Sequence, residues 1–250
     1  MRLPRTKRGR PNNLIIEDQI LLTLEYFREY RTYFHLAIDY NLEQSNVYRT
    51  IKKIEKIMIN SQEFKLPGKK ILRQKEDESK INQIVIDVTE TEIERPLKQQ
   101  KHYYSGKQKK HTIKSQIVAD KKTELIICTA QGKGKEHDFN LFKKSKISCN
   151  VDLEILGDKG YQGINKLHKN SKIPFKKPPK KDLDKEQIKF NKTLGKERII
   201  IEHINRKLKT FKILSSRYRN RHKRFGLRLN LIAGIYNFEL KYNVLLLEKN

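Results

Sequence analysis

Apolar and polar positions fall into two regimes along this chain. From about Leu14 to Ile59 the apolar residues recur at helical spacing. The pattern predicts three helices, Glu17 to Tyr30, Tyr33 to Asp39 and Gln44 to Ile57, with Tyr40-Asn41-Leu42-Glu43 as the turn before the last. At about 100° per residue, Val47, Ile51, Ile54 and Met58 share one face of the third helix. Ser45, Arg49, Lys52, Lys53 and Lys56 share the other. An apolar stripe that docks and a basic stripe left free is how a helix that enters the DNA major groove is built. Gln44, Ser45, Asn46 and Arg49 would reach base edges from its first turn, with Lys53 following. An ordinary amphipathic bundle with a solvated basic face has the same pattern.

The composition shifts at Leu66-Pro67-Gly68-Lys69-Lys70, and a charged stretch follows to Lys80. A boundary there divides the chain into a small helical domain (1–66), a linker (67–82) and a larger domain (83–246). In the larger domain the period becomes that of strands. Ile84-Val85-Ile86 is too short for a helix and suits a buried strand, with Asp87 at its edge. Thr112 to Ala119 and Thr123 to Thr129 read as a hairpin turning at Asp120-Lys121-Lys122. Val151 to Leu156 is a further strand, and Ile173-Pro174-Phe175 a short edge strand. Phe190 to Lys212 and Leu227 to Leu247 read as helices. This order implies an α/β domain: a mixed sheet covered by flanking helices.

Charge decides the class of partner. The 250 residues include 56 Lys and Arg against 29 Asp and Glu, a formal net charge of +27. Such self-repulsion contributes nothing to folding. A polyanion offsets it through counterion release, so double-stranded DNA is the expected partner. The basic residues are spread along the whole chain, which disfavours a membrane surface, and no apolar stretch reaches a membrane span. Met1 to Arg10 reads as a basic arm with no apolar core behind it, unlike a secretory signal, so a cytoplasmic, DNA-associated protein is expected. Cys128 and Cys149 lack paired metal-ligand spacing and read as ordinary reduced thiols.

Three carboxylates stand out. Asp87 follows a buried run, where a carboxylate is costly unless a cation compensates it, although strand ends often carry Asp. Asp158 lies between glycines in Leu156-Gly157-Asp158-Lys159-Gly160-Tyr161, which also suits a plain turn. Glu202 shares a helix face with Arg198, Asn205, Arg206 and Lys209, opposite Ile200, Ile201, Ile204, Leu208 and Phe211. That face suits a metal at Glu202 and phosphates at Arg198 and Lys209, and equally an exposed Arg–Glu pair. His137-Asp138 suits a place beside such a site, where it would help position it, and equally the cap of a helix starting at Phe139; the cap is the favoured reading, Asp138 being a good N-cap residue. The basic runs Lys107 to His111 and Arg217 to Arg224, with Tyr103, Tyr104 and Tyr218 interleaved, are expected to touch phosphates.

Taken in order, these segments resemble a known family. They are Asp87-Val88-Thr89-Glu90, Lys101-His102-Tyr103-Tyr104-Ser105-Gly106-Lys107, His137-Asp138, Gly157 to Gly163, Glu197-Arg198, Glu202-His203, Arg217 to Arg221 and Asn230 to Gly234. The chain resembles the DDE transposases of the fifth bacterial insertion-sequence family along nearly its whole length. Arg198, Glu202 and Lys209 fit the spacing of that family's last block, and Gly195 stands where many relatives have Tyr. The resemblance implies an RNase H-like core behind a helix-turn-helix domain, and a homo-oligomer on DNA. It implies that Asp87, Asp158 and Glu202 are catalytic and hold two divalent ions, Mg²⁺ with Mn²⁺ as a substitute. It also implies the reaction: water frees a 3′ hydroxyl at the transposon end, and that hydroxyl attacks target DNA. An inactive copy that still binds the element's ends, as a repressor does, is the alternative; the presence of all three carboxylates argues against it.

Overall fold

A computed structural model describes residues 13–74, 81–179 and 182–247. The basic arm of Met1 to Arg10 and most of the charged stretch ending at Lys80 lie outside the described residues. Three helices open the fold: α1 (Ile16–Arg28), α2 (Tyr33–Asp39) and α3 (Gln44–Asn60). Thr32 caps α2 by accepting a hydrogen bond from the His35 backbone N–H. On α3 the buried residues are Val47, Ile51, Ile54 and Met58, the predicted stripe, together with Glu55.

The sheet has six strands: β1 (Gln83–Glu92), β2 (Tyr104–Ser105), β3 (Lys110–Asp120), β4 (Ile126–Lys133), β5 (Glu154–Leu156) and β6 (Ser171–Lys172). β1 is central, antiparallel to β3 and parallel to β5. β4 and the two-residue β2 pair with the far edge of β3, and β6 pairs parallel with β5. The sheet is therefore mixed. The short edge strand is Ser171–Lys172, not Ile173-Pro174-Phe175, because Ile155 and Leu156 take their partners two residues earlier. The β3–β4 turn is held by Asp120, whose carboxylate accepts from the Lys122 and Thr123 backbone N–H groups and the Thr123 hydroxyl.

Helices cover both faces. The short α4 (Gln100–Tyr103) leads into β2, and α5 (Asp138–Ser145) follows β4. The long α6 (Lys185–Lys209) begins with a capping box between Asp184 and Gln187. α7 (Lys212–Ser215) and α8 (Phe225–Leu247) complete the chain. Strand alternation sorts side chains onto the two faces. Val85, Ile117, Ala119 and Leu156 point to the core shared with α6, α7 and α8. Ile84, Ile86, Val118, Ile127 and Ile155 point to a second core with Phe142, Tyr161 and Ile164. Cys128 and Cys149 pack against the second core as free thiols. Burial pushes their pKa values up to about 11 and about 12, which keeps both protonated at neutral pH.

The helical N-terminus is not a separate bead. Leu22, Phe27, Val47, Ile51 and Ile54 belong to one continuous core with Ile201, Ile213, Phe225 and Ile232. At its centre the Glu55 carboxylate is wholly buried, with Arg224 and Arg228 both paired to it. Arg228 donates to Glu55 Oε1 at 2.7 Å and to the Tyr218 hydroxyl at 2.9 Å. Arg219 lies over the Tyr30 ring, 4.0 Å from its centroid, and donates to the Tyr30 and Arg31 carbonyls. Tyr218, Arg219 and Arg224, expected as phosphate contacts, therefore hold the helical segment against the body of the protein. Gly234 on α8 meets the Phe64 carbonyl so closely that any side chain there would collide with backbone.

These contacts predict a specific stability pattern. Glu55→Gln leaves the 2%-exposed Arg228 without its counter-charge and is expected to cost about 3–5 kcal/mol in urea unfolding. The double variant Glu55→Leu/Arg228→Met, with both buried charges gone, is expected to cost clearly less. Equal losses in the two variants would contradict the assignment.

Candidate active site

β5 ends at Leu156 and covers only the first residues of β1, with Val85 opposite Leu156. Two residues further on, Asp87 in β1 and Asp158 just after β5 occupy matching positions past that last pair. β1 continues to Glu92, so Asp87 lies inside the strand rather than at its end. Beyond β5 this edge of β1 is uncovered, and a cavity of about 770 Å³ opens there. Asp87, Glu90, Asp138, Asp158, Glu202 and Asn205 all line it. A crevice beyond the carboxyl end of a parallel strand, where the strand order reverses, is where α/β sheets place their ligand sites.

Asp87 shares a sheet face with Val85, which turns it toward α6. The Asn205 side-chain amide donates to Asp87 Oδ2 at 2.8 Å, and the Arg198 guanidinium lies 3.8 Å from Oδ1. Burial first, and the charge of Asp158 second, push the Asp87 pKa up to about 6; Arg198 partly opposes them. Asp158 heads a short 3-10 turn (Lys159–Tyr161), and its Oδ1 accepts the Gly160 backbone N–H at 2.8 Å. Tyr161 is buried beneath; burial, then the charges of Asp87, Asp138 and Asp158, raise its pKa well above the ordinary tyrosine value. Glu202 is exposed on α6 and meets the other carboxylates only across the cavity.

Asp138 corrects an expectation. The N-cap of α5 is His137, which makes no side-chain cap, and Asp138 is already the first helical residue. Its carboxylate turns instead into the cavity, where Lys114 Nζ meets it at 2.7 Å. Asn205 also departs from the helical wheel: it is 8% exposed, because the inward edge of the polar face meets β1. Lys114 was not singled out in the sequence, and Glu90 only as the end of Asp87-Val88-Thr89-Glu90, yet the β1–β3 register sets them directly opposite each other. Strand pairing brings them together, and no local pattern marks Lys114.

The other candidates divide by location. Gln44, Ser45, Arg49 and Lys53 are exposed on α3, and Asn46 is partly so. Lys53 Nζ also reaches Gln19 Oε1 at 2.8 Å. Lys209 lines the cavity from an exposed position, whereas the Arg198 side chain is 13% exposed against Asp87. Gly195 sits where an added Cβ would meet nothing within 4 Å. Lys107 lines the cavity mouth, and Lys110 pairs with Glu92.

Among the described residues, no three His, Cys, Asp or Glu side chains stand close enough to form a ready-made metal cage. The donor set nonetheless fits a hard divalent cation. It consists of carboxylate oxygens, one of them raised in pKa by burial and then by a neighbouring carboxylate, with the buried Asn205 Oδ1 left without a hydrogen-bond partner beside it.

A mixed sheet whose central strand carries a half-buried aspartate into such a crevice, behind a three-helix segment with an exposed basic face, suits an enzyme that acts on nucleic acid. Similarity to known proteins makes this specific. Residues 86–237 match the family described as DDE superfamily endonuclease, and residues 12–62 match the helix-turn-helix of DDE superfamily endonuclease. The chain is 55% identical over 234 residues to a protein of Microchaete diplosiphon described as a probable transposase for insertion sequence element IS702, covering 94% of this chain and 84% of that protein. This chain belongs to the DDE superfamily of endonucleases, enzymes that use divalent metals. No helix among the described residues is long and apolar enough to cross a membrane.

The raised pKa of Asp87 makes a signed prediction. The folded chain holds its proton between pH 3.8 and about 6, so the group loses stability as pH rises through that window and its full penalty is present above it. Asp87→Asn is expected to stabilise the metal-free protein at pH 7.5 by up to about 3 kcal/mol, with the gain vanishing toward pH 4. Thermal melts at both pH values check this; a variant destabilised at pH 7.5 would contradict it.

Proposed function

We propose that this chain is an active insertion-element transposase that cuts the element's DNA ends and joins them to target DNA. The observation that carries the reading is the shared cavity: Asp87, Asp158 and Glu202 line one crevice, in a chain whose similarity to a probable transposase runs nearly end to end. Asp87, Asp158 and Glu202 are the catalytic residues and the ligands of two Mg²⁺ ions, with Mn²⁺ able to substitute. Divalent metal bound there supplies Lewis-acid activation and charge stabilisation for in-line displacement at phosphorus.

The protein groups do the positioning. Asn205 and Arg198 hold Asp87 in place and balance its charge, while the Gly160 N–H fixes Asp158. Lys209, Arg206 and Lys107 around the cavity bring the scissile phosphate in. Water attack frees a 3′ hydroxyl at the transposon end, and that hydroxyl then attacks the target. Residues 1–66 form the end-reading domain and 83–246 the catalytic domain, connected by 67–82 and packed together through the shared core. Gln44, Ser45, Asn46, Arg49 and Lys53 contact the ends. The enzyme works in the cytoplasm, on DNA, as a homo-oligomer.

Purified protein incubated with labelled DNA carrying the element's ends, with and without Mg²⁺, tests the reading. Mg²⁺-dependent cleavage followed by strand joining is the expected result. Asp87→Asn, Asp158→Asn and Glu202→Gln are each expected to abolish cleavage and keep DNA binding; wild-type rates in all three would refute the mechanism. Arg49→Ala/Lys53→Ala is expected to weaken end binding without unfolding the protein, and wild-type affinity is expected to fall steeply with salt. Salt-independent binding would remove the electrostatic part of the argument.

A further inference from the structure

We propose that Asp138 is a fourth carboxylate ligand of the divalent-metal site, and that Lys114 is a built-in competing cation that holds it until metal enters. The inference rests on the metal-site reading above and extends it to residues outside the Asp87, Asp158 and Glu202 set.

The first observation is a close approach. A Cβ built on Gly160 would lie 2.5 Å from Asp138 Oδ2 and 3.0 Å from Asp158 Oδ1. The two carboxylates thus flank one spot, and only a residue without a side chain lets α5 and the turn after β5 come so near. Glycine at 160 costs backbone entropy, and the benefit is that two like charges are brought together. Repelling carboxylates are not gathered for stability alone.

Charge balance is the second. Lys114 comes from β3 with its side chain 12% exposed, its ammonium 2.7 Å from Asp138 Oδ1 and 3.9 Å from Glu90 Oε1. Glu90 also accepts from the Thr112 hydroxyl at 2.7 Å, so it has a second partner; Asp138 has no other hydrogen bond to a side chain among the described residues. A mobile ammonium on a flexible stem can let go of a carboxylate when a doubly charged ion arrives.

The third observation is independent of the acidic residues. Asn205 is more than nine-tenths buried in the wall of the same cavity, and its Oδ1 has no hydrogen-bond partner. An orphaned neutral oxygen beside Asp87 is a donor in want of a cation. Carboxylates from β1, the turn after β5 and α5 thus line one cavity, with the orphaned Asn205 Oδ1 of α6 buried in its wall.

The opposed signs of two substitutions test the proposal. Mn²⁺ is titrated into the full-length protein by calorimetry, with circular dichroism to confirm folding of each variant. Asp138→Asn is expected to weaken Mn²⁺ binding by about tenfold or more. Lys114→Met is expected to strengthen it several-fold. In the double variant the Lys114→Met gain is expected to shrink, because the pair it relieved no longer exists. Unchanged affinity in Asp138→Asn, or weaker binding in Lys114→Met, would overturn the proposal and leave the pair a structural salt bridge. Asp87→Asn and Asp158→Asn separate the two readings. If they lose Mn²⁺ while Asp138→Asn keeps it, this inference alone fails. Should the wild type bind no Mn²⁺, both fail.

Discussion

The buried carboxylate of Glu55 ties the molecule together. It lies on the inward face of α3, the helix whose outward face carries the exposed basic residues. An unpaired carboxylate there would be prohibitively costly, and its partners come from the far end of the chain, Arg224 and Arg228 on and just before α8. Tyr26 and Tyr218 complete the setting: the Arg228 guanidinium lies 5.1 Å and 5.8 Å from their ring centroids. A charge pair of this kind adds little net stability against an apolar substitute. What it does supply is register, since a shift of α3 along α8 would strand the Glu55 and Arg228 charges. The direction of α3 and its exposed basic face relative to the acidic cavity is thereby tied to the rest of the fold.

The cavity reverses the character of the surrounding protein. A chain with a formal charge of +27 gathers Asp87, Glu90, Asp138, Asp158 and Glu202 around one opening, with Lys107, Arg206 and Lys209 beside them. The two signs serve different partners. In the proposed reaction, long-range positive potential draws in a polyanion, and the local carboxylates would draw a hard cation to the point where the phosphate arrives. Burial first, and the charge of Asp158 second, raise the Asp87 pKa, so the ionised side chain destabilises the metal-free fold.

Not every basic residue faces the nucleic acid. Arg219, Arg224 and Arg228 are engaged with carbonyls, rings and Glu55, and Arg198 with Asp87. Counting charges therefore overstates the phosphate contacts, although it identifies the partner correctly. Arg suits these internal posts because its planar fork stacks on tyrosine and spans a carboxylate, which a lysine ammonium cannot do.

What the sequence alone determined was whatever local periodicity and ordered motifs encode. The α3 stripe of Val47, Ile51, Ile54 and Met58 was legible because a helix repeats its faces every few residues, and the strand at Ile84 because a β-branched run too short for a helix suits a buried strand. The order of the acidic blocks was enough to point to the family. Tertiary structure decided what depends on residues far apart in the chain. Asp138, read as a helix cap, became a cavity carboxylate because Gly160 lets α5 approach; Glu90 and Lys114 met through strand register; Glu55 found Arg228 only when α8 packed on α3. Such pairs leave no trace in local spacing, since a buried charge is satisfied by whichever partner the fold delivers, and its identity is fixed only when the chain closes on itself.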